Sequence, residues 1–420
     1  MAITIDWTVE IGDPVTPTDF TSRVSGLQLK QKCDVSKKIA HTAVITLNNF
    51  DGALTPNAGG TYSSFDWFAQ AVFVKASVNG GTEFNVYQGL LTDFELIDNG
   101  TASYVTLQAV DWLSIVGRFR KTLAGGLPDE QQEGVFEVLR DVVEASGVGV
   151  VPEPLPLLNG TNSTVAISYL STPHENDDVA LPSTVGYVSD VIYNRMLQSD
   201  LIVILPTEIT QAASLNTYKF ATLSNVLTRT VDYHEFVFAE DATGANEIPF
   251  TNLQTGFAND RLINNATFQR SGSTEQIATD QTSQREYGNR SIAYTAVLNT
   301  TDAGALAAAE LTVERFKNTR FTARQLQVSN TTIAESPSGL ASEIELLLDI
   351  QTGFWQTAAI EYTPTGAGSQ LTDNCVISGR TIQAVPGRTT ITLDLLPAQD
   401  YQSFVLNSST LGVLDTNRLG

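Results

Sequence analysis

Near the N-terminus, ITIDWTVEI sets an apolar residue at every second position, the pattern of a strand that buries one face. VSGLQLKQKCD, HTAVITLNNF, QAVFVKASVNG, EFNVYQGLLTDFELIDNG and TASYVTLQAVDWL continue the alternation as far as about Arg120. Asn79-Gly80-Gly81 and Asn99-Gly100 fall between apolar runs and accept positive φ, so both predict tight hairpins. Five or six antiparallel strands linked in this way predict a small barrel or sandwich.

The pattern changes over residues 121–255. Pro128-Asp129-Glu130 opens a helix with Phe136, Leu139 and Val143 on one face, and Gly147 stands where it should stop. A proline-rich loop, VPEPLPLLNGTNST, leads to a second helical stripe of Val188, Val191, Ile192 and Met196, and LIVILP then reads as a buried strand. Alternation returns from about Asn246 in LINNATFQR, NRSIAYTAVLN, ARQLQVSN, EIELLLDI, AAIEYTP, NCVISGRTIQAV and RTTITLDLL. One helix, TDAGALAAAELTVERFKN, interrupts them, with Asp302 as cap and Leu306, Ala309, Val313 and Phe316 at helical spacing. The plan is β, then α+β, then β again.

Two segments of the β regions are alike. YQGLLTDFELIDNGTASYVTLQAVD turns at Gly100 and returns through Val105-Thr106-Leu107, while ISGRTIQAVPGRTTITLDLLP turns at Gly387 and returns through Ile391-Thr392-Leu393. Such hairpins recur in many β proteins, so spacing alone leaves both duplication and coincidence open.

The chain of 420 residues carries 46 Asp and Glu against 24 Lys and Arg, for a formal charge of −22. It has no basic stripe of the kind that tracks phosphates, which argues against sequence-specific nucleic-acid binding. The acidity fits simple solubility and equally fits repulsion of a polyanion moving past. Cys33 and Cys375 read as buried small hydrophobes rather than as a disulfide framework. Met1 leads directly into a strand, with no signal-peptide pattern, and no apolar run reaches the length of a membrane span.

His41, His174 and His234 stand in no metal-binding frame, and no nucleophile elbow or phosphate loop occurs. Carboxylate pairs such as Asp177-Asp178 and Glu343 with Glu345 are expected by chance in so acidic a chain. DATGANE, residues 241–247, offers oxygens but lacks the order of a calcium loop. The expectation is no enzyme, no cofactor and no metal. The C-terminal FVLNSSTLGVLDTNRLG is unusually apolar for a free end. Its Phe404, Val405, Leu406, Leu411, Val413, Leu414 and Leu419 are the candidate assembly residues. Each large side chain buried there would contribute on the order of 1.5–3 kcal/mol.

Three segments carry a family likeness. In DFTSRVSGLQLKQKCDVSKKIAHTAVITLNNFDGALTPNAGGTYSSF, residues Asp19, Thr21, Ser22, Arg23 and Val24, then Ala43, Thr46, Leu47, Asn49, Asp51 and Pro56, resemble the opening of minor tail proteins of long-tailed bacteriophages. Phe50 departs from it, standing where a basic residue is commoner. EIPFTNLQTGFANDRLINNATFQRSG followed by SQREYGNRSIAYTAVL resembles a second barrel's start, through Asp260-Arg261-Leu262, Asn264 or Asn265, Tyr287-Gly288 and Arg290. The terminal Phe404, Leu406, Ser409, Leu411, Gly412, Leu414, Arg418 and Leu419 resemble the family's ending. Together these cover about half the chain, and LIVILPTEITQAASLNTYKF departs from the family's usual hairpin at that place.

The resemblance implies a trimeric tail hub similar to those of contractile baseplates: a mainly β chain with an α+β insertion, in which two tail-tube-like β-barrel domains flank a middle α+β domain. The boundaries expected are 1–120 for the first barrel, 121–255 for the insertion, 256–400 for the second barrel with one helix, and 401–420 for the apolar tail. The implied partners are two further copies of the chain, a distal tail or tube protein, tip or fibre proteins, a tape-measure protein and genomic DNA in non-specific passage. The implied location is the virion tail tip, after assembly in the bacterial host cytoplasm. A homohexameric distal tail ring, and a module that binds or cleaves cell-wall glycan, stand as alternatives.

Overall fold

The computed structural model describes residues 3–111, 202–205, 219–222 and 234–400, apart from 14–15, 35–38, 69, 99, 101, 245, 258–260, 271, 298–300, 332–338, 351 and 367. Strands dominate. The N-terminal part supplies β1 (Ile5–Gly12), β2 (Thr18–Asp19), β3 (Val24–Lys32), β4 (Thr42–Asn48), β5 (Ala71–Val78), β6 (Phe84–Asp98) and β7 (Ser103–Val110). A two-stranded sheet of β8 (Ile202–Leu205) and β9 (Lys219–Thr222) follows, its first strand matching LIVILP. Then come β10 (Glu235–Ala239), β11 (Glu247–Pro249), β12 (Asn252–Phe257), β13 (Asn265–Arg270), β14 (Gln276–Thr279), α1 (Gln281–Tyr287), β15 (Ser291–Val297) and α2 (Asp302–Phe316). The series ends with β16 (Phe321–Ser329), α3 (Leu340–Leu348), β17 (Thr357–Tyr362), β18 (Leu371–Val385) and β19 (Arg388–Pro397).

Alternation is legible in the burial of these strands: β4 reads half-buried, buried in strict turn along its seven residues. Asn79 and Gly80, at φ of 52° and 69°, are the left-handed central pair of a tight turn closed by Gly81 N–H on Val78 O at 2.9 Å, at the start of the β5–β6 connection. Two elements differ from the sequence reading. EIELLLDI lies on helix α3 rather than a strand, because Leu340, Glu343, Ile344, Leu347 and Leu348 recur at helical spacing and are all buried. Thr301, not Asp302, caps α2, its hydroxyl accepting from Gly304 N–H at 3.0 Å, with Asp302 in the first turn.

One fourteen-stranded sheet contains strands from both ends of the chain, in the order β11-β10-β17-β18-β3-β4-β7-β6-β5-β1-β2. A branch runs β18-β19-β16-β12. Two sets of five strands within it have the same connectivity. The order β5-β6-β7-β4-β3 in the first matches β17-β18-β19-β16-β12 in the second, every neighbouring pair being antiparallel.

The match extends to individual residues. Counting along the chain sets Ala71 through Val110 against Thr357 through Leu396, Leu90 pairing with Val110 as Val376 pairs with Leu396, although the irregularity at Val74/Lys75 in the first hairpin has no counterpart in the second. In β6, Thr92 is the extra residue of a bulge and its hydroxyl donates to Gln108 O at 3.1 Å. In β18, Ser378 is the extra residue and donates to Asp394 O at 3.2 Å. At the foot of β3, Ser25 Oγ donates to Thr46 O at 3.1 Å, and before β12, Thr251 Oγ1 donates to Gln327 O at 3.0 Å. Past the ends of β4 and β16, the Asn49 and Asn330 N–H groups donate to the Ser103 and Thr389 carbonyls at 2.9 and 3.1 Å. A bulge with its side-chain clip, a second clip and a backbone bond at matching positions are specific devices, and their conjunction argues for duplication over a chance likeness of hairpins.

Between β12 and β16 the second unit carries an excursion that the first lacks. There β14-β13-β15 form a separate sheet packed on α2, with a core of Ala266, Phe268, Val297, Ala305, Ala309 and Val313. Residues 256–400 thus hold α1, within the excursion, and α3, between β16 and β17, in addition to the one helix expected. The two units share one large core, which reaches from Val9 and Ile45 to Leu393.

Candidate functional site

The units meet where β3 pairs with the C-terminal half of β18, from Gly379 opposite Lys32 to Ala384 opposite Leu27. Arg380 lies on the inward face of that seam and is 1% exposed. Its Nε donates to Gln31 Oε1 at 2.8 Å, Nη1 to the carbonyls of Leu347 and, at 3.2 Å, Asp349, and Nη2 to Val86 O at 3.4 Å. Gln31 Nε2 also donates to Val86 O, at 3.0 Å. The guanidinium lies 4.6 Å above the Phe354 ring, whose other neighbour is the imidazole of His41.

Carbonyls at the end of α3 carry the negative end of the helix dipole, so they suit a cation. Burial still pushes the Arg380 pKa down to about 9, with Asp349 opposing. Burial likewise pushes His41 down to about 4, and nearby Arg380 adds to that, while the Lys32 carbonyl opposes it. The seam is therefore a permanent, desolvated polar pin that ties β3, β6, β18 and α3 together.

The residues that carry the family likeness turn out to be braces. Arg23 makes a two-pronged pair with Asp51, at 2.9 and 2.7 Å, which holds the loop after β4 against the start of β3. Asp19 accepts from Thr21 N–H, and the Thr21 hydroxyl accepts from Val9 N–H. Buried Asn49 accepts from Leu54 N–H and donates to Thr55 and Ser103. In the excursion, Asn264 donates to Ser283 and to the Gly288 carbonyl and accepts from Arg290 N–H. Gly288 ends α1 at φ 76°, a conformation in which a side chain would be strained.

Opposite the core, the sheet presents a polar face that crosses the seam. Gln28 lies opposite Gln383, Thr46 opposite Thr106, and Gln254 opposite Gln325. Its charges are few and mixed, among them Lys30, Glu95 and Asp394. A cleft of about 550 Å³ opens on this face between the units, lined by Gln28, Thr46, Gln327, Gln383 and Arg388.

The predicted assembly residues Phe404, Val405, Leu406, Leu411, Val413, Leu414 and Leu419 lie outside the described residues, as do His174, Asp177 and Asp178. His234 Nε2 lies 2.6 Å from Glu343, which is buried, so Glu343 is committed within the fold. In DATGANE the Glu247 carboxylate accepts from Thr243 and Gly244 N–H, closing the loop on itself. Cys33 and Cys375 are free and buried. Among the described residues, no group of three or more His, Cys, Asp and Glu could hold a metal, and no helix is long and apolar enough to cross a membrane. Sequence reading missed the Arg380 pin. The available signal was an arginine in step with Ile382 and Ala384 at inward positions of ISGRTIQAV.

No protein-family profile and no curated protein matches the chain. Solved structures do. A tail protein from Neisseria meningitidis MC58 superposes with a TM-score of 0.53 at 9% identity, over 95% of this chain and 99% of that one. The 43 kDa tail protein of prophage MuSo2 from Shewanella oneidensis gives a TM-score of 0.51 at 9% identity, over 94% and 99%. The chain shares the fold of these tail proteins.

Proposed function

We propose that the chain is a structural tail-tip hub subunit of a bacteriophage. Three copies form a ring that joins the tail tube to the tip and fibres and lines the DNA exit channel. The observation that carries this reading is the duplication. Two five-strand units of one connectivity, clipped at matching positions, give three chains six similar units, which meet a sixfold tube on one side and a threefold tip on the other. A hexameric distal ring needs only one such unit per chain, so the duplication favours the trimer.

The polar face supports the channel role. Gln and Thr side chains bond to water, and cations such as Lys30 and Arg388 are interspersed with carboxylates such as Glu95 and Asp394, so phosphates meet no basic stripe that would hold them. The proposed partners are the distal tail or tube protein, tip or fibre proteins, the tape-measure protein and passing DNA. The location is the virion, after assembly in the host cytoplasm. The domain boundaries that go with this reading are those of the sequence reading, with the second unit drawing β12 from before residue 256. The role is architectural, with no reaction assigned. Native mass measurement of the purified chain and a reconstruction of the tail tip test it: a threefold ring at the tip is expected. A sixfold ring of single chains, or absence from the tip, would overturn it.

A further inference from the structure

The seam between β3 and β18 has a counterpart that is unfilled among the described residues. By the residue matches above, β6 corresponds to β18 and β12 to β3. Strand β18 uses one edge twice, pairing with β17 through residues up to Val376 and with β3 from Gly379 onward. Strand β6 pairs with β5 only up to Leu90 on the corresponding edge. Among the described residues, the edge of β6 from Asp93 to Asp98 has no strand beside it, and β12 pairs only with β16. Among the described residues, each chain thus holds one filled seam and the two unfilled halves of another.

Exposure marks the same places. Ile382 and Ala384 are buried at the filled seam, whereas their counterparts Leu96 and Asp98 are half-buried and exposed. Phe257, the counterpart of Gln31, is 56% exposed, and stacks edge-on to Phe321, also exposed. The Phe94 N–H is turned to its neighbour's Asp93 carboxylate rather than to a strand.

We infer that β12 of one chain adds to the free edge of β6 of a second copy, in the register of the internal seam, and that this pairing closes the ring. The inference rests on the hub reading and specifies its contact. Carrying Arg380–Gln31, Ile382–Leu29, Gln383–Gln28 and Ala384–Leu27 across the repeat places Phe94 opposite Phe257, Leu96 opposite Thr255, Ile97 opposite Gln254 and Asp98 opposite Leu253. The exposed Phe257 then covers half-buried Phe94 and Leu96, an aromatic anchor of the kind that stabilises cross-strand pairs. The second copy is the fitting occupant because the other half of the seam lies on the same chain and the internal seam shows the two halves joined.

Hydrogen-bond phase selects the test. Cys33 N–H donates to Ser378 O at 2.7 Å, so Gln383 and Gln28, five residues further along each strand, form a non-hydrogen-bonded pair. Ile97 and Gln254 inherit that phase, with Cα atoms about 4.5 Å apart, within disulfide reach. The full-length chain carrying Ile97→Cys and Gln254→Cys is oxidised and run without reductant; the native cysteines are buried. The expected result is covalent multimers up to the ring size, absent from Ile97→Cys with Asn252→Cys, whose positions lie diagonally. Phe257→Asp should abolish the linked species while leaving the thermal transition in place. If native mass gives a trimer and the Ile97–Gln254 pair does not link, the strand pairing is overturned and the trimeric hub stands. If the chain is monomeric at high micromolar concentration, both fall.

Discussion

Gln31→Leu removes one partner from the buried pin while keeping nearly the same volume. Arg380 then loses its acceptor at Nε, 2.8 Å away, and Val86 O loses its 3.0 Å donor. A hydrogen bond to a buried charge contributes about 1.5–3 kcal/mol, and the weakened Val86 carbonyl adds up to about 1 kcal/mol, since Nη2 approaches it only at 3.4 Å. The expected loss is therefore about 2–4 kcal/mol. Arg380→Met has opposing parts: Gln31 Oε1 and the Leu347 carbonyl lose the guanidinium, but the cost of burying a cation disappears. In the double variant no cation is left without its acceptor. Gln31→Leu with Arg380→Met should consequently be more stable than the sum of the single losses by about 1–3 kcal/mol, the signature of coupled neighbours. Denaturant unfolding of all four proteins, with equal slopes, measures the cycle. Additive losses, or a Gln31→Leu protein as stable as the parent, would refute the pin.

Acid should weaken the fold through His41. Its native pKa of about 4 lies below the ordinary value of 6.5, so as the pH falls from 6.5 the unfolded chain binds a proton that the native core refuses until about pH 4. Stability should fall by roughly 3 kcal/mol across that window, and His41→Phe should remove this part of the slope in unfolding measured against pH. Asn330→Ala deletes the acceptor for Thr389 N–H and should cost about 1–3 kcal/mol. Asn49→Ala, which deletes three bonds, should cost more in the same denaturation assay. Deleting residues 404–420 should weaken ring assembly, read by sedimentation, more than it lowers the thermal transition. Rings formed at unchanged concentration would reduce that tail to a local cover.

Most strands of the two units were legible because they bury one face, as β4 shows residue by residue, whereas β12, largely exposed, was not. The repeat was legible only as a hairpin, through Val105-Thr106-Leu107 and Ile391-Thr392-Leu393. Its other markers are a hydroxyl beside a bulge and an asparagine just beyond a strand, which have no period for a sequence to display. EIELLLDI misled because short apolar runs fit either period, and its helix is set by the core that Leu340, Ile344, Leu347 and Leu348 enter. The short strands β2, β11 and β14 escaped for a related reason, since two to four residues carry too little pattern. The motif residues were visible as a likeness, but their work as braces is long-range: Arg23 meets Asp51, and Asn264 meets Arg290.

The two seams also differ in chemistry, and the difference follows from when each forms. The internal seam closes as one chain folds, with its strands held at high effective concentration, so it can absorb the desolvation of Arg380 and secure it with carbonyls from α3 and β6. The proposed external seam has to remain open in water and then close between separate chains, which lose translational freedom in doing so. A buried cation at Phe94's position would be stripped of water at that moment without a helix end to receive it. An aromatic pair avoids that cost and gains from burial instead. On this argument Phe94→Arg should leave the subunit folded and weaken assembly, and a second change, Phe257→Gln, should not restore it, because the internal pin depends on Leu347 and Asp349 as much as on Gln31. If the Arg–Gln pair alone restored assembly, the contribution of the α3 carbonyls to the internal seam would be dispensable.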